Sequence, residues 1–441
     1  MAVDIREAHL DNGLMVLLAP VHNAPVVTFW VWYRVGSRNE VPGITGISHW
    51  CEHMMFKGTP TLGKGEIMHL INRNGGVDNA FTSADFTAYF ESLPSDRIDL
   101  ALRIESDRMM NTTFDPDEVA SERTVIISER EGGENEPRYL LSEQVQAMAF
   151  MVHPYHHDTI GWKVDLETMT REDLYRHYKK YYAPNNAVVV VAGDFEPDEM
   201  LAKITDAFGK IPRGGEIPQM KSVEPPQEGE RRARLVRPGP SACFHAMFHA
   251  PKASDPDFFP TFVLTGILSG VGGMSFSGGG SPGRSSRLYR ALVETGLAVD
   301  VDCGFRGMLD PGTIDITSTV TPGGSIEKVE GAIFAELEKI ASKPVTDTEL
   351  AKVIKQAKSQ FVYATDGVMN LGYWLGQWEI VSSYKMYAQF LDNLEKVTKA
   401  DVTRVARKYF AEKNRTVGWF IPSNGNGKRA PVKNRARSKA K

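Results

Sequence analysis

Two histidines and a glutamate carry the sharpest chemistry in the chain, in Gly46-Ile-Ser-His49-Trp-Cys-Glu52-His53-Met-Met-Phe-Lys-Gly58. His49 and His53 are four apart, about 40° around an α-helix, so both imidazoles leave the same face. That spacing lets two imidazoles grip one Zn2+. Glu52 sits one residue before the second histidine, beside that face. It is placed to hold a water next to the metal rather than the metal itself. A carboxylate there can take the water's proton, because zinc lowers the pKa of a water it binds towards 7. The order His-x-x-Glu-His inverts the commoner zinc-protease motif. Ser48 or Thr45 could cap this helix, and Gly43 and Gly46 mark a turn before it.

A catalytic zinc needs a third protein ligand and keeps its fourth position for water. The segment Pro116-Asp-Glu118-Val-Ala-Ser-Glu122-Arg-Thr-Val-Ile-Ile-Ser-Glu129-Arg-Glu131 reads as a helix that could supply it. Glu122 and Glu129 are seven apart and share a face. Such a face can give one ligand and one carboxylate that orients a histidine. Spacing alone does not choose among Glu118, Glu122, Glu129 and Glu131, since a solvated charged stripe would look the same.

The elements that must position these groups repeat once along the chain. Leu166 to Val191 reads as a helix running into a strand, and Leu394 to Trp419 reads the same way at an offset of 228 residues. Thr170 meets Thr398, Asp173 meets Asp401, Arg176 meets Arg404, and Asn186 meets Asn414. In each copy the threonine is placed to cap the helix, with the aspartate at its third position. The openings of the two halves also match. Leu14 to Ala19 and Val26 to Val35 alternate like a hairpin, as do Arg232 to Arg237 and Cys243 to His249. Long helices are predicted at Gly65 to Asn74, Arg97 to Met110, Pro116 to Glu131, Ile326 to Lys343 and Asp347 to Ala364. The pattern is α+β: two homologous domains, each a largely antiparallel sheet packed with helices. The expected division is an N-terminal domain over 1–217, a Pro- and Gly-rich linker over 218–231, a C-terminal domain over 232–425 and a basic disordered tail over 426–441.

Composition narrows the function class. The chain has 441 residues, 51 Lys or Arg and 55 Asp or Glu. Seven of those basic residues, and no acid, lie in the last 14 positions. The rest of the chain holds 44 basic against 55 acidic residues, a balance of −11. An acidic body argues against nucleic-acid binding. No run of 18 apolar residues occurs, so no membrane span is expected. The N-terminus lacks a basic stretch followed by an apolar one, and three scattered cysteines (Cys51, Cys243, Cys303) do not make a disulfide framework. A reducing, cytoplasmic location is the simpler expectation.

At this point the chain resembles the pitrilysin and mitochondrial-processing-peptidase family of inverted-motif zinc peptidases. The likeness runs through Asn12-Gly-Leu, the His49 segment, Asn74 to Tyr89, Glu122-Arg-Thr-Val-Ile-Ile-Ser-Glu129, His153-Pro-Tyr, Gly161 and Ser286-Arg-Leu. The resemblance implies one Zn2+ per chain held by His49, His53 and Glu129. It implies Glu52 as general base and Glu122, in the same catalytic set, as the carboxylate behind the site. Asn79, Ala80, Phe81 and Thr82 resemble the edge strand on which the family lays an extended peptide by strand addition. Two such domains would close as half of a clamshell-like chamber, and the activity implied is endopeptidase cleavage of oligopeptides or unfolded segments. The alternative from another class is a non-catalytic core-type subunit of a larger complex, whose metal motif would normally be damaged.

One departure is informative. Self-sufficient members carry an Arg and a Tyr in a segment like Leu-Arg-Glu-Lys-Arg-Gly-Leu-Ala-Tyr. Here the segment is Leu292-Val293-Glu294-Thr295-Gly296-Leu297-Ala298-Val299, one residue shorter. Val293 and Val299 stand where those two side chains would be, and neither can donate a hydrogen bond to a developing oxyanion. A homologous partner subunit supplying the Arg/Tyr pair, in a heterodimer, is the expectation. Of the remaining features, Gly270 to Gly283 lacks a phosphate-loop pattern and reads as a flexible loop. Cys51 should face away from the histidines as a buried thiol. His153, His156 and His157 read as a loop packed on the first domain, and Trp374 and Trp378 as core.

Overall fold

The computed structural model describes residues 4–272 and 283–423. The tail and most of the Gly270 to Gly283 loop fall outside the described residues. Strands are numbered in chain order: β1 (Arg6–His9), β2 (Met15–Pro20), β3 (Val26–Tyr33), β4 (Val77–Thr82), β5 (Thr87–Pro94), β6 (Ala187–Gly193), β7 (Arg231–Arg237), β8 (Cys243–His249), β9 (Ala298–Phe305), β10 (Thr313–Val320) and β11 (Arg415–Pro422). Among the described residues they form two sheets, in the orders β1-β2-β6-β3-β5-β4 and β7-β11-β8-β10-β9. The α+β class and the two related halves expected from sequence are what the chain adopts.

The repeated segments behave alike. Thr170 caps the helix Arg171–Tyr181 and Thr398 caps Lys399–Tyr409, each by accepting from the N–H of the aspartate three residues on, with that carboxylate reaching back. The strand after each helix, β6 or β11, then enters its sheet. This entry corrects both expected hairpins. β2 and β3 are not neighbours, because β6 lies between them, parallel to β2 and antiparallel to β3. β11 separates β7 from β8 in the same way. β6, the last strand of its half in sequence, takes a central, fully buried place, which the valine run Val188 to Val191 suits.

The first sheet is covered on both faces. One side packs on Ile47, Trp50, Ile104, Leu174 and Phe208 from its own half. The other side presents Trp30 and Trp32, fully buried, to the helix Val368–Val381 of the second half. That helix comes close because it carries Gly372 and Gly376 one turn apart. A Cβ on Gly372 would overlap the Trp30 indole, and one on Gly376 the Trp32 indole. The exchange is reciprocal. The helix Pro137–Ala149 of the first half lies on β8 and β11 of the second sheet, with Leu141 and Val145 over Gly418. Trp374 and Trp378 are buried in one continuous core with Trp30 and Trp32.

The two halves also meet at a polar clamp. Asp310, in the loop between β9 and β10, accepts from Arg38 Nε at 2.5 Å and lies 3.1 Å from His153 Nε2. Asp85 is buried within the β4–β5 turn; it takes the Leu309 N–H at 2.9 Å and the Tyr155 hydroxyl at 2.5 Å. The His153 loop therefore joins the two halves rather than packing on the first alone. No helix among the described residues is long and apolar enough to cross a membrane.

Candidate metal centre and its surroundings

The helix Ile47–Met54 begins at Gly46, whose φ of 88° is a left-handed conformation. A side chain there would also run into the Ile160 carbonyl, so the position calls for glycine. Neither Thr45 nor Ser48 caps the helix. Glu40 does so from outside it, accepting from the Gly46 and Ser48 N–H groups at 2.7 and 2.8 Å. Thr45 instead donates to Asp165, and Ser48 lies 3.3 Å from His177 Nε2. Burial pushes the Glu40 carboxyl up to about 7, against the pull of those N–H bonds. Cys51 is buried and bonds weakly to the Leu174 carbonyl, on the side away from the histidines.

His49 and His53 stand edge to face with ring centroids 4.6 Å apart. The Nε2 atoms of both lie 3.9 Å from Glu129 Oε2. Glu129 comes from the helix Pro116–Gly133, which is capped by Asp115 and tied down by Arg123 bonding to Glu167 and Met169 carbonyls. One ligand atom from each of His49, His53 and Glu129 falls within 4.8 Å of the others. Among the described residues no other three His, Cys, Asp or Glu side chains converge in this way.

The four glutamates that spacing left equivalent part company here. Glu118 pairs with Lys64 at 2.7 Å and Glu131 with Lys163. Glu122 is buried, accepts from His53 Nδ1 at 2.8 Å through Oε1, and pairs with Lys57 through Oε2. Burial opposes its charge, but Lys57 and His53 outweigh that and hold the carboxyl below its usual range. With Nδ1 of His53 committed to Glu122, Nε2 is the nitrogen left facing Glu129.

The donor set fits zinc. Two imidazoles and a carboxylate are a catalytic-zinc ligand set, and ligands about 2.0–2.1 Å from a tetrahedral metal lie roughly 3.3 Å apart. The 3.9 Å separations would need to contract by only about half an ångström. Burial drives the His49 pKa down to about 3, keeping the imidazole neutral as a metal ligand must be.

Glu52 is 8% exposed. Burial raises its carboxyl to about 7, while a hydrogen bond from the Thr82 hydroxyl, 2.5 Å from Oε2, pulls it back. A value near neutrality suits a group that both takes and returns a proton. Thr82 ends β4, the outer strand of its sheet, whose one partner is β5. On that strand the Asn79 side chain folds onto the Ala80 N–H at 2.9 Å, and Phe81 packs against Trp32. A pocket of about 440 Å3 lined by Glu52, His53, Phe56, Met68, Asp78 and Asn79 opens beside the histidines. A larger cavity, about 840 Å3, lies between the halves, from Phe81 and Thr82 to Asp302, Asp315 and Tyr373. Val293 ends the short helical turn Tyr289–Val293, and Val299 is exposed on β9.

Sequence reasoning passed over Lys57, Glu40 and the side chain of Thr82. Lys57 follows His53 by four residues, a spacing that could have flagged it. Glu40 reaches the helix start across an irregular turn of six to eight residues, and the Thr82–Glu52 contact joins segments that only the fold brings together.

Residues 15–162 match the family model described as Insulinase (Peptidase family M16), and residues 168–357 match the one described as Peptidase M16 inactive domain. The chain is 30% identical over 423 residues to the zinc protease PqqE of Helicobacter pylori, covering 94% of this chain and 92% of that one. It is 26% identical over 406 residues to the mitochondrial-processing peptidase subunit beta of Blastocladiella emersonii, covering 92% and 86%. Among solved structures, a protease from Helicobacter pylori superposes with a TM-score of 0.90 at 28% identity, over 96% of this chain and 100% of that one. The periplasmic protease PqqL from Escherichia coli shares the fold, with a TM-score of 0.76 at 19% identity. There the match takes in 96% of this chain but 48% of PqqL.

Proposed function

The chain belongs to the M16 (insulinase) peptidase family, and from that premise we propose that it is a zinc-dependent endopeptidase acting on oligopeptides or unfolded segments. The observation that carries the reading is the convergence of His49, His53 and Glu129, with Glu52 one residue from His53. Zinc, when bound, would polarise the attacking water and the scissile carbonyl. His49 and His53, as neutral imidazoles, and Glu129 would hold it, and Glu122 fixes the tautomer of His53. Glu52 accepts the proton of the attacking water and passes it to the leaving amide nitrogen. The free edge of β4, Asn79 to Thr82, pairs with the peptide main chain, which favours extended substrates of varied sequence. Asn79's own side chain must release the Ala80 N–H for that pairing. The working division is 1–217 for the metal-bearing domain and 232–425 for the domain that walls the chamber, joined by 218–231.

The chamber is completed by a homologous partner. Val293 and Val299 offer no donor to the substrate carbonyl, and PqqL, sharing this fold, has about twice this length in one chain. The test is to purify the chain alone and co-expressed with a homologue carrying the Arg/Tyr pair. Zinc content and cleavage of an unfolded peptide are then measured. One zinc per chain, with strong cleavage only in the pair, is expected. Full activity of the isolated chain overturns the partner, and absence of zinc overturns the reading. E52Q should keep zinc and lose turnover; continued cleavage would remove Glu52 from its role.

A further inference from the structure

The hydroxyl of Thr82 is used in a way that strand addition does not require. Peptide pairing on β4 needs the main chain, yet the Thr82 side chain turns to Glu52 and donates to Oε2 at 2.5 Å. The Thr87 hydroxyl, 3.5 Å away, is itself spent on the Val35 carbonyl at 2.9 Å. Glu52 has one carboxylate oxygen fixed by this bond, which leaves Oε1 as the oxygen able to meet a water. A hydroxyl donating to a carboxylate is among the stronger hydrogen bonds, and this length is typical of it.

We propose that Thr82 is a positioning residue for Glu52: its hydroxyl fixes the carboxylate, so that one strand both aligns the peptide and aims the proton-transferring group. The proposal rests on the peptidase reading for its kinetic consequence, though its structural part stands apart from it. Without the hydroxyl the glutamate side chain recovers its rotamer freedom, and only part of its population faces the water. The loss cannot exceed that of removing the base altogether, roughly 10²–10⁴-fold. Misorientation through a supporting contact is worth about 10–100-fold by analogy with outer-shell partners.

The test uses T82V, which keeps the shape and the strand preference but removes the donor, and T82S, which restores it. In the complex that cleaves peptide, T82V should lower kcat about 10–100-fold with KM within about twofold, zinc content unchanged and unfolding temperature preserved. T82S should recover most of kcat. In an E52Q background T82V should cost nothing further, because the two substitutions remove the same step. Crystal structures of the wild type and T82V give a readout free of turnover: the Glu52 carboxylate should leave its position in T82V. An unmoved Glu52, a weakening of peptide binding by T82V that persists in E52Q, or no rescue by T82S overturns the proposal. If the wild type neither binds zinc nor cleaves peptide, the peptidase reading fails, and the position of Glu52 in T82V still decides what Thr82 does. If E52Q cleaves as well as the wild type, Glu52 is not the proton-transferring group and the kinetic part of the proposal falls with it.

Discussion

Replacing Glu118, Glu122, Glu129 and Glu131 one at a time by glutamine separates four carboxylates on a single helix that look alike in the sequence. Glu129 Oε2 is 3.9 Å from the Nε2 of both histidines, so under the proposed zinc reading E129Q should remove a ligand. Structural zinc binding of about 10–16 kcal/mol, shared among four ligands, is about 3 kcal/mol each, or at least two powers of ten in affinity. Glu122 touches no metal position but accepts from His53 Nδ1 at 2.8 Å. Gln at that position would turn either its amide oxygen or its NH2 towards His53, and the NH2 would face Lys57 if the oxygen serves His53. The expected loss is the 10–100-fold typical of groups that orient a ligand, about 1.4–2.7 kcal/mol. Glu118 and Glu131 pair with lysines away from the histidines, so E118Q and E131Q should bind zinc within about twofold of the wild type. The assay is competition against a chromogenic chelator at fixed pH and salt, with unfolding followed in parallel. The reasoning is refuted if E122Q binds zinc like the wild type, or if E118Q or E131Q weakens it as much as E122Q.

Three further outcomes are expected. G331A, on an exposed helix face with nothing within 4 Å, should stabilise by about 0.5–1 kcal/mol. G376A gains the same propensity but meets Trp32, and overpacking of about 1–3 kcal/mol should leave it destabilised in urea unfolding; equal gains at both sites would sink the close packing. Burial works against the charge of Asp310, but His153 and Arg38 outweigh it and hold its carboxyl at about 2, below its ordinary 3.8. A depressed carboxyl stabilises above its unfolded pKa, so the wild type should lose stability as pH falls from about 4 through 2, while D310N stays flatter over that window; parallel curves count against the clamp. T170A and T398A remove matching caps, each with the hydroxyl 3.2 Å from the N–H it accepts, and each should cost about 1 kcal/mol in chemical unfolding.

What the sequence made legible was local. The His49–His53 spacing, the two capping boxes and the long helices depend on residues within a turn or two of one another, and they stand where periodicity and capping put them. The strand order did not follow, because the alternation in β2 and β3 fixes which side chains face the core but not which strand sits alongside. β6, some 150 residues later, wins the place between them through a run of valines suited to burial on both faces. The cap of the histidine helix went to Glu40 because a carboxylate six residues upstream reached two N–H groups at once, leaving Thr45 and Ser48 for other bonds. Choosing among the glutamates needed the approach of one helix to another, which no spacing contains. The link between Thr82 and Glu52 crosses 30 residues and was invisible for the same reason.

The exchange of helices between the halves bears on how the protein is made. After Gly193 completes the first sheet, the ribosome must add residues up to Val368 before the helix that covers Trp30 and Trp32 begins to exist. At about 5–20 residues per second that is roughly 9–35 s during which an aromatic sheet face lacks its native cover. The second sheet is spared this interval, since its borrowed helix, Pro137–Ala149, is synthesised before any of its strands. Chaperone demand should therefore fall unevenly along the message, concentrated between the end of the first half and the arrival of Gly372 and Gly376, and ribosomal pausing within that window would be the costliest place to slow translation.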